Sequence, residues 1–443
     1  MSYKIGMVSL GCSKNQVDAE IMLNSLSVSG YEITPEESEA DVIIVNTCGF
    51  IEEAKREAIE NIIEVSAYKK EGNLKALIVT GCLAERYRDQ IMSEIPEVDA
   101  VVGIGRNSDI CKIVSDALGG NKECFFGDKT DLDINADRML STPFYMAYLK
   151  IAEGCDNCCT YCAIPAIRGR YRSRTIESIV AEAKKLADKG VKELVLIAQD
   201  STRYGEDLYG KSELVKLLLE LCEIDGLHWI RTLYTYPERI TDEFIDAVAN
   251  NDKLAKYFDI PLQHCNANIL RRMNRQGNID EITTLINKIR SKIPDVIIRT
   301  TFLTGFPGET EKEFEELCEF VKEIRFDRIG CFAYSAEEGT PAAEFENQIE
   351  EQIKYDRAEN IMNEQSVISA QKNQEKIGTV VEVLIEGYDD YIRSYFGRSA
   401  ADAPEVDGKV FFVSPVQLEI GKFVMVQIND TLEYDLLGEI VED

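Results

Sequence analysis

The first part of the chain alternates short apolar runs with stretches of helical periodicity. The runs 4–10, 41–46 and 76–80 have the length of strands, and the segments around 16–29 and 52–70 carry apolar residues at three- and four-residue intervals. Such alternation is typical of an open parallel sheet covered by helices. The pattern therefore predicts an α/β domain, with functional groups where the strands end.

A second series of apolar runs follows, again separated by amphipathic segments such as TIESIVAEAKKLADKG. The six runs of strand length are 144–152, 193–198, 229–235, 257–262, 296–304 and 328–334. Six such units predict a partial β/α barrel. Its active site should lie on the rim formed by the carboxyl ends of the strands.

The last seventy or so residues change character, because runs such as TVVEVLIEG, KVFFVS and KFVMVQIND are bounded by glycine-containing turns. They predict a small five-stranded barrel of the oligonucleotide-binding type. We expect an α/β protein with an open parallel α/β domain in 1–138, a partial β/α barrel in 141–371 and a small all-β barrel in 374–443.

Charge narrows the choice of partners. The chain of 443 residues has 49 basic and 79 acidic residues, a formal net charge of −30. From position 374 onward, five basic residues face fifteen acidic ones, a net charge of −10. This field repels a phosphate backbone and attracts a basic protein, which disfavours nucleic acid as the main partner. An acidic surface that simply keeps the protein soluble is the alternative.

Cysteine usage and hydropathy bear on the compartment. The chain has thirteen cysteines, no signal-like apolar segment at its start and no apolar run of 18 residues. We therefore expect a cytoplasmic protein without a membrane segment, whose thiols serve metal binding or catalysis rather than disulfides.

The run GCDNCCTYC contains cysteines with the spacing C-x3-C-x2-C, at Cys155, Cys159 and Cys162. Three thiolates on one short loop hold three corners of a cubane iron-sulfur cluster and leave one iron open. An open iron can bind S-adenosylmethionine, and that pairing generates radicals. A zinc site and a structural cysteine cluster are the alternatives. Cys158 also permits a second frame, in which it replaces Cys159.

Three further cysteines each follow a predicted strand directly, in the strings SLGC, VNTC and VTGC. They are Cys12, Cys48 and Cys82. The carboxyl ends of parallel strands meet at one edge of a sheet, so these thiols should converge and again supply three ligands. Buried structural cysteine is the alternative for each of them.

Other polar residues follow the barrel strands and are candidates for the rim, with ordinary loop capping as the alternative. They are Gln199, Asp200, Tyr236, Gln263, His264 and the turn 305–309. Beyond the cysteine loop, arginines alternate at 168, 170, 172 and 174. In extended chain they would share one face and could bind a carboxylate, with internal salt bridges as the alternative.

The cysteine loop carries a family resemblance. Tyr161 precedes Cys162, so the motif is C-x3-C-x-aromatic-C and resembles that of the radical S-adenosylmethionine superfamily. The resemblance implies that Tyr161 packs near the adenine of the cofactor. Cys158 occupies a position that is commonly basic in that superfamily.

The resemblance extends over the whole chain. The strings that carry it are SLGCSKNQVDAE, KIAEGCDNCCTYCAIPAIRGRYRSR, LIAQDSTRYG, DIPLQH, RTTFLTGFPGET and GRSAADAPEVDG. With the order of the three domains, they resemble the methylthiotransferases that end in a TRAM barrel. Within these, they look like the branch that modifies an aspartate of ribosomal protein twelve of the small subunit.

This resemblance implies a transferase with two 4Fe-4S clusters and S-adenosylmethionine. Cys155, Cys159 and Cys162 would hold the radical-generating cluster. Cys12, Cys48 and Cys82 would hold an auxiliary cluster that supplies the methylthio group for the β-carbon of the aspartate. We expect the cofactor to contact Tyr161, Gln199, Asp200, Gln263 and Gly305.

The expected partners are the basic ribosomal protein, docked on the acidic C-terminal barrel, and an electron-donor protein. Two other functions stay open at this point. One is a tRNA methylthiotransferase that modifies an adenosine with the same clusters. The other is a non-catalytic iron-sulfur or zinc scaffold.

Overall fold

The first domain is an open, wholly parallel sheet with helices on both faces. The computed structural model describes residues 3–441. The strands are β1 (Lys4–Ser9), β2 (Glu32–Ile33), β3 (Val42–Thr47), β4 (Ala76–Gly81), β5 (Ala100–Val102) and β6 (Glu123–Phe125). The helices are α1 (Ser13–Val28), α2 (Glu52–Ser66), α3 (Tyr68–Glu71), α4 (Cys82–Tyr87), α5 (Asp89–Glu94) and α6 (Ile110–Leu118). The strand order is β2-β1-β3-β4-β5-β6, as expected for an α/β domain.

The central strands of this sheet are covered on both faces, which explains their continuous apolar sequence. Every residue of β3 and β4 is buried. One face packs against α2 and the other against α1 and α6. Helix α1 is unusual because it also buries polar residues, among them Asn15, Asp18 and Glu20. These side chains face the second domain.

The strands of the second domain are β7 (Met146–Lys150), β8 (Ala152–Glu153), β9 (Arg172–Ser173), β10 (Glu193–Ile197), β11 (Trp229–Thr232), β12 (Tyr257–Gln263), β13 (Ile297–Thr304) and β14 (Arg328–Ala333). Six of them are parallel and form two three-stranded sheets, β11-β10-β7 and β12-β13-β14, whereas β8 and β9 form a short antiparallel pair. The two sheets are linked by an isolated parallel β-bridge between Ile230 in β11 and Leu254, which lies shortly before β12. The six large strands match the six predicted runs and form the expected partial barrel.

Helices connect and follow these strands. They are α7 (Ile164–Arg168), α8 (Ile176–Asp188), α9 (Glu206–Tyr209), α10 (Leu214–Cys222), α11 (Asp242–Asn250), α12 (Ala267–Arg272), α13 (Ile279–Lys292), α14 (Glu311–Ile324) and α15 (Glu351–Gln374). Helix α14 starts with a capping box between Thr310 and Glu313. Helix α15 has 24 residues and was not predicted, because its buried face is largely polar and includes Lys354, Arg357 and Gln365.

The last domain is a closed five-stranded barrel, as predicted, with the order β15-β16-β17-β19-β18. Its strands are β15 (Val380–Asp389), β16 (Ser394–Arg398), β17 (Val410–Val413), β18 (Phe423–Thr431) and β19 (Leu436–Ile440). Closure leaves no free sheet edge. Among the described helices, none has the length and apolar character needed to cross a membrane.

The loop between β16 and β17 packs against the amino ends of the central barrel strands. Tyr257, the first residue of β12, donates a hydrogen bond to Asp407 at 2.6 Å. Arg328, the first residue of β14, donates to Asp402 at 2.9 Å. These contacts attach the last domain to the end of the barrel opposite the rim.

Candidate functional site

Two groups of cysteines lie at the carboxyl ends of strands, one in each of the first two domains. In the central barrel, the loop after β8 carries Cys155, Cys159 and Cys162. Cys155 and Cys159 are buried, and Cys162 is partly buried. Burial, with further contributions from neighbouring thiols, raises the pKa of Cys155 to about 11 and that of Cys162 still higher. The three thiols therefore lie within electrostatic range of one another.

Cys158 differs from these three. It is exposed and has φ of 49°, a left-handed conformation that is uncommon for a residue with a side chain. Asn274 donates to its carbonyl at 3.0 Å, which holds this turn of the loop. The motif C-x3-C-x2-C, which uses Cys159, therefore contains two buried thiols and one partly buried thiol, whereas Cys158 lies at the surface.

The loop is tied to the rim through Asp200. Asn157 donates its backbone N–H to Sγ of Cys155 at 3.5 Å and its side-chain amide to Asp200 at 2.9 Å. Thr202 donates to the other oxygen of Asp200 at 2.6 Å. Asp200 is fully buried and both carboxylate oxygens are engaged, so it acts here as an anchor for the cysteine loop.

Tyr161 lies next to the same loop. Its pKa is raised well above the ordinary value by burial and by the neighbouring Cys159. Arg275 lies beside it and stacks over the ring of Tyr236, at 4.3 Å from the ring centroid. The sequence analysis missed Arg275, which lies outside the strand-end pattern that was used to find rim residues.

Gln199 offers a free acceptor. Its Nε2 donates to Glu153 at 3.0 Å, whereas its Oε1 is buried and has no partner among residues 3–441. Gln263 has φ of 70° and lies at a register shift in β12. Five residues were expected to contact the cofactor. Of these, Gln199, Gln263 and Tyr161 have side-chain polar atoms that local hydrogen bonds do not fully engage.

Gly305 lies where the turn after β13 packs closely against α15. A Cβ atom at this position would lie 2.3 Å from Cγ of Lys354 on α15, and its φ is +70°. The Glu309 carboxylate accepts the backbone N–H groups of Gly305 and Phe306 and pairs with Arg357 at 2.8 Å. The turn is thus closed on itself, with Gly305 required for the approach of α15.

His264 is fully buried behind this turn. Its Nδ1 accepts the backbone N–H of Asn266 at 3.0 Å. Its Nε2 lies 3.8 Å from the Glu309 carboxylate and has no hydrogen-bond partner among the residues that the structure describes. Burial lowers its pKa to about 4, so the ring is neutral at physiological pH.

The first domain brings its three strand-end cysteines together. Cys12 precedes α1, Cys48 follows β3, and Cys82 is the first residue of α4. A Cβ atom on Gly11 would lie 2.6 Å from Cβ of Cys48, and one on Gly49 would lie 2.7 Å from Cα of Leu83. The Cys48 loop is therefore in close contact with both of the other loops, at the sheet edge where the strand ends meet.

The thiols in this group differ in exposure. Cys12 is exposed, Cys48 is partly buried and Cys82 is buried. Burial raises the pKa of Cys82 to about 12, with Arg168 acting against it and Cys12 and Cys48 adding to it. Binding of a metal cluster would thus release protons here.

Both groups offer three soft thiol donors, which is the donor chemistry of iron-sulfur clusters. Among residues 3–441, no three His, Cys, Asp or Glu side chains are arranged around a position for a single metal ion. A cubane presents separate irons to separate thiols, so its ligands need not converge on one point. The residues present fit a cluster at each group.

Helix α7 lies between the two groups. The helix begins two residues after Cys162. Ile167 in this helix belongs to the same small apolar cluster as Ala163 and Cys82. A helix of five residues is about 7.5 Å long. Its last residue, Arg168, points its Nη2 at Sγ of Cys82 from 3.7 Å.

Of the two interpretations of the alternating arginines, the shared face was wrong, and internal salt bridges are confirmed for Arg168 and Arg174. Arg168 ends a helix and is buried, whereas Arg170 is 91% exposed. Arg174 is buried and pairs with Glu182. The extended conformation that the alternation required is interrupted by the left-handed Gly169, at φ of +78°.

Three family models match successive parts of this chain. Residues 4–103 match "Uncharacterized protein family UPF0004", residues 149–321 the Radical SAM superfamily and residues 377–441 the TRAM domain. The chain is 53% identical over 441 residues to the ribosomal protein uS12 methylthiotransferase RimO of Clostridioides difficile, covering 99% of each chain. Against the protein of the same name from Pelotomaculum thermopropionicum it is 52% identical over 443 residues, covering all of each.

Solved structures show the same fold at low identity. The radical S-adenosylmethionine methyltransferase TsrM from Kitasatospora setae, solved with cobalamin and a [4Fe-4S] cluster, superposes with a TM-score of 0.57 at 13% identity. The match covers 87% of this chain and 82% of that one. At this identity the likeness concerns the fold alone.

Proposed function

The chain belongs to the RimO family of ribosomal protein uS12 methylthiotransferases, and from this premise we propose how its own residues serve the reaction. It is a radical S-adenosylmethionine enzyme that inserts a methylthio group at the β-carbon of an aspartate of uS12. It uses two 4Fe-4S clusters and S-adenosylmethionine. The relatives do not favour the tRNA alternative or a non-catalytic scaffold.

We assign the radical-generating cluster to Cys155, Cys159 and Cys162, and the auxiliary cluster to the three strand-end cysteines of the first domain. When bound, these groups supply reductive cleavage of S-adenosylmethionine to a radical that can break an unactivated C–H bond, and the sulfur that is inserted. The protein itself supplies the thiolates, the positions of the loops and the exclusion of water. The enclosure of Cys155, Cys159 and Cys82 supports this assignment.

The single observation that carries the proposal is the position of α7. The helix begins two residues after Cys162, and its last residue, Arg168, reaches Sγ of Cys82 at 3.7 Å, so one short helix links the two cysteine groups, and we propose that the substrate carbon is bound between them. Holding two reactants at such a distance replaces an encounter in solution by an intramolecular step. The contacts of Arg168 and Cys82 keep this spacing constant.

For the cofactor we propose direct contacts from Tyr161, Gln199 and Gln263, and indirect roles for Asp200 and Gly305. The buried, unpartnered Oε1 of Gln199 is the clearest acceptor, and Tyr161 lies beside the cysteines. Asp200 and Gly305 would act through the loop and the turn that they hold, because their polar atoms are already engaged.

We propose that uS12 docks on the acidic C-terminal barrel. Several acidic residues there bind inward to the central barrel, including Asp402 and Asp407. Others, such as Asp390, Glu419 and Glu433, are exposed and remain available to a basic protein. We further propose an electron-donor protein as the reductant, a cytoplasmic location, and domain limits of 1–138, 141–371 and 374–443.

The experiment that tests this function is mass spectrometry of uS12 after anaerobic incubation with the reconstituted enzyme, S-adenosylmethionine, sulfide and a reductant. We expect a methylthio mass gain on one aspartate, and none on a uS12 variant in which that aspartate is replaced. Release of 5′-deoxyadenosine without any gain on uS12 would retain the radical chemistry and refute the substrate.

A further inference from the structure

Four fully buried charged side chains meet where the first domain rests on the central barrel. They are Asp18 on α1, Lys150 at the end of β7, Glu153 in β8 and Arg168 at the end of α7, each at most 1% exposed. Lys150 and Arg168 each pair with both carboxylates. The group is neutral overall, which permits burial. Buried ion groups are nevertheless weak stabilisers compared with apolar packing, which points to a role beyond stability.

The network holds Arg168 in one orientation. Nη1 donates to Asp18 at 2.9 Å and to Glu153 at 3.0 Å. Nη2 is thereby directed to the opposite side, where it donates to the side-chain oxygen of Asn15 at 3.3 Å and to Sγ of Cys82 at 3.7 Å. The guanidinium therefore approaches a cysteine of the other domain from a fixed direction.

Asn15 extends this arrangement to the other two cysteine loops. Its side-chain amide donates to the carbonyl of Leu10, two residues before Cys12, at 2.8 Å. It also approaches the carbonyls of Asn46 and Thr47, just before Cys48, at 3.2 and 3.3 Å. Arg168 thus has a direct or indirect contact with all three loops of the first domain.

We propose that Arg168 is a positioning residue for the auxiliary cluster, and that its N–H donation to the sulfur of Cys82 raises the reduction potential of that cluster. The inference rests on the proposed placement of the cluster on Cys12, Cys48 and Cys82. Reduction adds negative charge to a cluster, and a nearby cation that donates to a ligand sulfur stabilises the reduced form. Cys82 and Arg168 are both buried, and a hydrogen bond in such surroundings has a larger effect than one at the surface.

The same network reaches the radical-generating loop. Glu153 accepts the backbone N–H of Gly154, next to Cys155, at 3.1 Å and the amide of Gln199 at 3.0 Å. One arginine is therefore linked to both cysteine groups. Arg168 follows the radical-cluster motif closely in the chain and contacts Cys82 in space, so it connects the two cysteine groups physically.

The test isolates the auxiliary cluster by combining Cys155→Ala, Cys159→Ala and Cys162→Ala. In this background we compare native Arg168 with Arg168→Lys, which keeps a positive charge for Asp18 and Glu153 but is too short to reach Cys82. The readouts are iron content and a potentiometric titration followed by electron paramagnetic resonance. Arg138→Lys is the matched control, because Arg138 is buried at the same interface and pairs with Glu20 and Glu182.

We expect about four irons per chain in every variant. The midpoint potential should move to more negative values with Arg168→Lys and stay unchanged with Arg138→Lys. An unchanged potential with full iron content would overturn the role of Arg168. If the triple cysteine variant folds and binds no iron, the proposed cluster placement itself fails, and the two failures are thereby distinguished.

If Arg168→Lys does not fold, a second variant keeps the test available. Arg168→Gln combined with Asp18→Asn removes one charge of each sign, so that the buried network remains neutral. It lacks the N–H donor to Cys82 at unchanged net charge, and its potential should lie below that of native Arg168. A potential equal to that of the native residue would refute the proposal.

Discussion

Glu337, which follows the last strand of the central barrel, accepts a hydrogen bond from Nη1 of Arg86 in the first domain at 2.7 Å. Lys55 pairs with the same carboxylate at 3.1 Å. Arg86 also donates to the carbonyl of Gly49, next to Cys48, at 2.7 Å. The first domain is thus attached to the barrel on the β14 side by Glu337 and on the β7 side by Arg168.

Replacing Glu337 with glutamine should loosen this attachment. Lys55 and Arg86 would lose a carboxylate that is 2% exposed, and breaking a buried ion pair in this way costs about 3 kcal/mol. Urea unfolding and the rate of limited proteolysis between the domains measure the effect. Glu338→Gln, at an exposed neighbouring position, is the control. Equal stability of the two variants would contradict the structural role of Glu337.

The neighbouring cysteines of the radical loop should behave differently. Cys159→Ala removes an enclosed thiol and should abolish release of 5′-deoxyadenosine, because the cluster loses one of three ligands. Cys158→Ala removes an exposed thiol and should keep at least half of the activity. Anaerobic turnover followed by chromatography measures both. The opposite result would establish the frame that contains Cys158.

Substitutions in the two cysteine groups should block different steps of the reaction. Cys155→Ala should abolish cofactor cleavage. Cys12→Ala should spare cleavage and stop methylthio insertion, because Cys12 belongs to the first-domain group. Parallel measurement of 5′-deoxyadenosine and of methylthiolated uS12 separates the two steps. Normal insertion by Cys12→Ala would refute the assignment of the auxiliary cluster.

His264 should make the stability of the barrel depend on pH. Burial lowers its pKa from 6.5 to about 4; Glu313 opposes this and Arg357 adds to it. Between these values the unfolded chain binds a proton and the folded chain does not. The contribution of His264 to the free energy of unfolding should therefore fall by about 3 kcal/mol as the pH falls from 6.5 to 4.

His264→Gln should lack this part of the pH dependence, which urea unfolding at several pH values can measure. His228→Gln is the control, because His228 is partly exposed and pairs with Glu382 on the C-terminal barrel. If the wild-type protein and His264→Gln lose the same stability over this range, the buried neutral ring is not responsible.

The acidic barrel should attract uS12 through its exposed charges. Changing Asp390, Glu419 and Glu433 together to lysine should slow association roughly tenfold at low salt, and less at high salt, because exposed charges are screened. Stopped-flow binding measures the rate. The same triple change at Glu57, Glu60 and Glu64, exposed on α2 of the first domain, alters the net charge equally. Equal effects of both triples would argue against docking on this barrel.

Much of the fold could be predicted because most of its buried strands are short apolar runs, which can be recognised from the local sequence. The six barrel strands and β1, β3 and β4 follow directly from such runs, and the convergence of Cys12, Cys48 and Cys82 follows from parallel strand ends. Helix α15 was missed because most of its buried residues are polar and its few buried apolar residues give no clear helical period. Their partners, such as Glu309 for Arg357, come from distant parts of the chain.

The sequence by itself determined the six barrel strands, the three strand-end positions of Cys12, Cys48 and Cys82, and the family that the chain resembles, since these depend on local spacing. Only the tertiary structure decided that Arg168 leaves the arginine series to meet Cys82, 86 positions away, and that Asp402 and Asp407 bind inward. The physical reason is that a charged side chain becomes buried only where a partner from another element neutralises it, and local periodicity carries no information about that partner.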